Sequence, residues 1–187
     1  MIRKLNDTRA HVTGWELLRP ALAPLVANDV RRVFLPMLVV MVAMLAIAFR
    51  NLRDVIAVVA AMALAGWLTL AAMAMLGIGW NILNIAAAPL FLGIGIDYGI
   101  HMTTALRRHR GNVHEAWHGT GKAVIFCAAS TGIGFGSLCF ASNEALASLG
   151  AVAVLGIACA MATSVFLLPG WHRGGVKRPQ VPVADLR

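Results

Sequence analysis

The sequence predicts an all-α integral membrane protein, a bundle of five transmembrane helices. Three observations carry that prediction. The 187 residues are 59% hydrophobic with a mean hydropathy of +0.77, above the roughly 45–50% apolar content of soluble domains. The apolar residues come in blocks long enough to cross a bilayer as helices, not in alternation with polar ones. Inside those blocks Asp97 is the one acidic residue, as expected where a bare charge is costly.

Residues 1–30 form a mixed polar segment with Pro20 and Pro24, too short for a core of its own. The segment reads as the end of a larger domain or a linker, or as an amphipathic lead-in at the interface. Without an apolar core it is not a cleavable signal peptide. Residues 31–170 hold the five spans. The first is expected from about Val33 to Phe49, with Pro36 in its first turn, where the missing N–H costs little. Arg50 to Asp54 make a polar turn. The second span runs from Val55 to about Ile78, and an uncharged turn of Gly79, Trp80 and Asn81 follows, with Trp80 placed as an interfacial anchor. The third span is Ile82 to Leu106, kinked at Pro89. Arg107 to Lys122 reads as a basic, His-rich loop. The fourth span is Ala123 to Ala141. After a short turn at Ser142, Asn143 and Glu144, the fifth covers Ala145 to Leu168. Residues 171–187 form a basic tail.

The 16 Lys and Arg against 8 Asp and Glu give a formal charge of +8. A nucleic-acid binder shows the same balance. Here the cations flank apolar blocks, which points to orientation in a membrane, and no nucleic-acid partner is expected. With alternating spans, Arg50 and Arg53, then Arg107, Arg108, Arg110 and Lys122, then Arg173, Lys177, Arg178 and Arg187 fall on one side. The turns around Gly79 and Asn143 carry no cation. The positive-inside rule makes the cationic side cytoplasmic, so the C-terminus is cytoplasmic and the chain enters its first span from the other side. Arg3, Lys4, Arg9, Arg19, Arg31 and Arg32 run against this. A translocated domain ahead of the first span reconciles them, because long domains cross largely regardless of charge.

The chemistry concentrates in Gly93-Ile94-Gly95-Ile96-Asp97-Tyr98-Gly99-Ile100-His101. Gly93, Asp97 and His101 recur at i, i+4 and i+8 and share one helical face, with Thr104 close to it. A low-dielectric setting disfavours the charged form of a carboxyl group. That suits Asp97 to load a proton on one side of a membrane and release it on the other, with Tyr98 and His101 tuning it or relaying the proton. Gly93 leaves room for a neighbouring helix beside the carboxylate. The structural alternatives are that Asp97 only hydrogen-bonds a partner helix and that His101 is a packed histidine. Tyr98, on an adjacent face, either bonds a carboxylate of another helix or fills space.

In the fourth span, Ser130, Thr131 and Ser137 are candidate partners for Asp97. Gly132 and Gly136 form a small-residue pair for close helix contact, as do Gly95 and Gly99 in the third. Cys127, Cys139 and Cys159 lack metal-ligand spacing and read as small packing residues. His109, His114 and His118 have only Glu115 nearby and no thiolate, which favours a solvated loop over a metal site. There is no G-x-x-x-x-G-K-[ST] loop for ATP and no nucleophile elbow. The reading is therefore of a non-enzyme without cofactor or metal, powered by something other than nucleotide.

These stretches resemble the resistance-nodulation-division (RND) superfamily, specifically its MMPL branch of lipid exporters, and within that the hopanoid-exporter group. Gly93 to His101 looks like the Asp-Tyr motif of the family's tenth helix. Thr131-Gly132-Ile133-Gly134-Phe135-Gly136-Ser137-Leu138 looks like its eleventh. Leu146-Ala147-Ser148-Leu149-Gly150 followed by Gly156 looks like the start of its twelfth. Val12-Thr13-Gly14 and Asp29 are similar to the passage from the second periplasmic domain into the eighth. The likeness covers most of residues 12–170. It implies a multi-pass protein of the bacterial inner membrane with a periplasmic N-terminus, forming helices eight to twelve of a proton-motive-force-driven exporter. Asp97 and Tyr98 map onto the second of the family's two Asp-Tyr pairs. The implied partners are membrane lipids, a lipidic or hydrophobic substrate, and an N-terminal half or another RND subunit, because helices one to seven have no counterpart here. The competing readings are a lipid-sensing regulatory module, similar to a sterol-sensing domain, and an inert truncated remnant.

Overall fold

The structure, a computed structural model, describes the backbone of residues 15–79 and 81–173. Within them it describes side chains from residue 32 to 171, apart from Ile82 and Ala86. The elements are α1 (Trp15–Phe49), α2 (Leu52–Met75), α3 (Ile82–Arg108), α4 (Val113–Ala116), α5 (Lys122–Gly136), α6 (Glu144–Ala162) and α7 (Leu168–Arg173). A π-helical turn at Trp117–Gly121 joins α4 to α5, and another at Thr163–Leu167 joins α6 to α7. A 3₁₀ turn at Ser137–Phe140 ends the fourth span. Among the described residues five helical stretches are long and apolar enough to cross a membrane: Arg32–Phe49, Leu52–Met75, Leu83–Arg108, Val113–Phe140 and Glu144–Trp171. The protein is a multi-pass, all-α membrane protein.

The helices begin where an asparagine can cap them. Asn51 accepts from the Arg53 N–H, Asn81 from Asn84 at 2.8 Å, Asn112 from His114, and Asn143 from Ala145 at 2.9 Å. Each bond satisfies one of the orphan donors of a first turn. The ends are equally local. After α2, Gly77 takes φ +67, and Ile78 N–H reaches back to Met73 C=O at 3.0 Å. After α3, Arg110 takes φ +51, and Gly111 N–H reaches Leu106 C=O at 2.8 Å. Both are six-to-one closures of the Schellman kind.

α6 is the hub, packed against α2, α3 and α5, and α1 lies at the periphery. α6 takes this place because its sequence is apolar and small. Its Gly150 lies against the end of the fourth span so tightly that a Cβ there would come within 2.8 Å of Cys139 N and Phe135 O. One apolar cluster fills the cationic end, around Leu45, Phe49, Val58, Met102, Leu106 and Leu168. A second, around Ala65, Tyr98, Ala128, Ile157 and Val165, fills the middle.

Several boundaries differ from those expected. α2 begins at Leu52, inside the expected polar turn, and ends at Met75 instead of Ile78, and the fifth span runs past Leu168 to Trp171. The segment expected as a loop at Arg107–Lys122 is mostly helical: α3 runs to Arg108, and the fourth span begins at Val113. Ala116, Gly121, Val124 and Ala128 are buried, so one inward face runs unbroken through the polar residues between them. The first helix begins at Trp15, and its backbone continues into the first span through Pro20, Pro24 and Pro36. The Trp80 anchor, Val12–Gly14 and the cations of the tail beyond Arg173 lie outside the described residues.

Candidate functional site on the third span

α3 has two unlike faces. Gly95 and Gly99 are buried against α2. A Cβ on Gly99 would sit 2.8 Å from Val58 Cγ1, and one on Gly95 would run into the Met62 side chain. The opposite face is open: Asp97, His101 and Thr104 are exposed, and beside Gly93 there is empty space. Among the described residues no hydrogen bond or ion pair holds Asp97. The bundle thus presents its one mid-span carboxylate outward, in line with a histidine one turn away. Hydrocarbon is a poor solvent for such a face, and protein or water at this depth is a good one.

Tyr98 points the other way, into the middle cluster. Its hydroxyl lies alongside Thr131 but has no hydrogen-bond partner of good geometry. Thr131 donates to Cys127 C=O of its own helix at 2.9 Å, Ser137 donates to Gly134 C=O at 2.7 Å, and Ser130 is exposed. In this arrangement none of the three bonds Asp97. Gly132 has open space beside it, and a Cβ on Gly136 would only touch Val154. Both line an open apolar groove of about 750 Å³ between α5 and α6, while Gly150 makes the tight contact of that pair. Cys127 and Cys139 are exposed and Cys159 is half-buried. The packing role expected of the cysteines therefore fits Cys159 alone, since the other two sit on outward faces.

At the cationic end, His109 pairs with Glu115 at 2.9 Å, and the His114 and His118 rings lie 4.3 Å apart. Two polar links went unread in the sequence. Arg107 donates to Phe49 C=O at 3.0 Å and approaches Asp54, buried in the first turn of α2, at 3.8 Å. At the other end Asn84, fully buried, donates to Ser148 Oγ at 2.8 Å. Asn84 had a visible signal, a polar residue three positions into an apolar run. The Asp54–Arg107 pairing had none, because it joins two separate turns.

A family model described as the MMPL family matches residues 1–171. The chain belongs to the MMPL family. Among similar proteins, the hopanoid transporter HpnN of Burkholderia multivorans is 31% identical over 124 residues, covering 66% of this chain and 14% of that protein. The hopanoid transporter HpnN of Rhodopseudomonas palustris is 30% identical over 123 residues, with the same two shares. A membrane protein of Methanocaldococcus jannaschii is 35% identical over 105 residues, covering 52% of this chain and 27% of its own length. The MMPL chain therefore spans a small part of the hopanoid transporters it matches. No solved structure matches it.

Proposed function

We propose that this MMPL chain is the transmembrane portion of an exporter of hydrophobic or lipidic molecules, hopanoid-like lipids included, driven by the proton-motive force. It works in the inner membrane together with a second transmembrane half. Asp97 carries the proton. His101 relays it, and Tyr98 holds the helix against the middle cluster. The observation that carries this reading is the placement of Asp97, a lone mid-span carboxylate on an uncovered helical face with His101 on the same line. A second half covering that face would supply the shielded surroundings in which a carboxyl group changes charge near neutral pH. The similarity to the hopanoid transporters supports the substrate class. The clustering of cations at one end supports a cytoplasmic C-terminus.

The test is substrate efflux in membrane vesicles holding the assembled transporter under an imposed pH gradient. Asp97→Asn is expected to abolish gradient-driven export while the protein inserts at wild-type levels. Export at the wild-type rate by that variant removes Asp97 from the mechanism.

A further inference from the structure

The two unread polar links lie at opposite ends of α3, on either side of Asp97. Arg107 is ten residues beyond it, about 15 Å along the axis, and Asn84 is thirteen before it, about 20 Å. Each ties α3 to a different neighbour. The Arg107 guanidinium reaches Phe49 C=O, an end carbonyl of α1 with no donor of its own helix available, and Asp54 of α2. Asn84 Nδ2 reaches Ser148 of α6 and Gly79 C=O. Between them, at the level of Asp97, α3 meets α2 through the bare backbones of Gly95 and Gly99.

Apolar contact is non-directional, and a glycine face offers no ridge to lock a neighbour's groove. Hydrogen bonds are directional, so the end links fix the height and rotation of α3. We infer that Arg107, with Asp54, and Asn84, with Ser148, are positioning residues for Asp97. They hold α3 in the register that sets which surroundings the carboxylate meets.

This inference rests on the reading of Asp97 as the proton carrier. The titratable groups beside Asp97 on α3 are Tyr98 and His101, and Cys127 of α5 lies beside Tyr98. α2 presents none in its middle, and α6 presents Cys159, with Glu144 in its first turn.

The test is the titration of Asp97 in the full chain in lipid nanodiscs, read from the carboxyl bands of infrared difference spectra, with Asp97→Asn as the assignment control. Arg107→Gln and Asp54→Asn have opposite direct charge effects on Asp97, since one removes a cation and the other an anion. Their positional effect is the same. The expected result is that both move the Asp97 midpoint in the same direction, by about half a pH unit or more, and that Ser148→Ala also moves it. Ser148→Ala is nearly isosteric, so it keeps the test alive if a charge variant fails to fold. Opposite shifts from the charge pair, or folded variants with the wild-type midpoint, overturn the inference. A wild-type Asp97 that does not titrate at all overturns the proton-carrier reading instead.

Discussion

Single residues set the tolerances of this bundle. Gly150 is the least replaceable of the described glycines, because the atoms a Cβ would meet at 2.8 Å are backbone and cannot rotate away. Gly150→Ala is expected to cost about 1–3 kcal/mol by forcing the fourth and fifth spans apart. Gly132→Ala adds its methyl to open space and is expected to be neutral or to stabilise by up to about 1 kcal/mol through helix propensity. Equilibrium unfolding in mixed micelles distinguishes the two; equal losses would contradict the packing described. Arg110 holds φ +51 at the end of α3, a conformation glycine adopts freely. Arg110→Gly is expected to raise stability by about 1 kcal/mol in the same assay.

Whole elements follow from their ends. Asparagine caps at 51, 81, 112 and 143 restart the helix after each turn, so the chain reverses direction without loops that would need support. Asn143 matters most, since it starts the hub helix and bonds both Ala145 and Leu146 N–H. Asn143→Ala is expected to cost about 1 kcal/mol and to speed amide exchange in the first turn of α6 before anywhere else in that helix; uniform exchange along α6 would argue against a capping role. The elements also show where sequence reading stops. Arg107 to Lys122 looked like a loop because its residues are basic and polar. The helix forms there because Asn112 caps it and Ala116 and Gly121 fall on the inward face. Polarity alone does not separate a solvated helix from a loop.

At the scale of the molecule, the open face of α3 is the main asymmetry. Arg107, Asp54 and the packed cluster close the cationic end, and Asn84 and Ser148 tie the other. The middle is left uncovered on the side of Asp97, His101 and Thr104. If a second transmembrane half covers that side, the three must become inaccessible together. In a chain whose cysteines are replaced by alanine, Thr104→Cys is expected to react readily with a membrane-permeant thiol reagent when the chain is alone. Reaction is expected to slow at least about tenfold once the complementary half is present, as for a site taken out of solvent. Unchanged reactivity would place the interface elsewhere.

The sequence alone determined the class of protein, the number of spans, the clustering of cations at one end and the helical line through Gly93, Asp97 and His101. All of these are one-dimensional quantities, namely block length, charge position and a 3.6-residue period. The resemblance to RND exporters was also legible in short motifs, and the family match agrees with it. Tertiary structure decided which face of each helix meets a neighbour, that Gly150 and not Gly132 makes the close contact of the fourth and fifth spans, and that Arg107 meets Asp54. The reason is physical. In an apolar helix nearly every side of the cylinder suits lipid as well as protein, so hydrophobic pattern carries little facing information, and the partner of a given residue emerges only when all the helices are packed together.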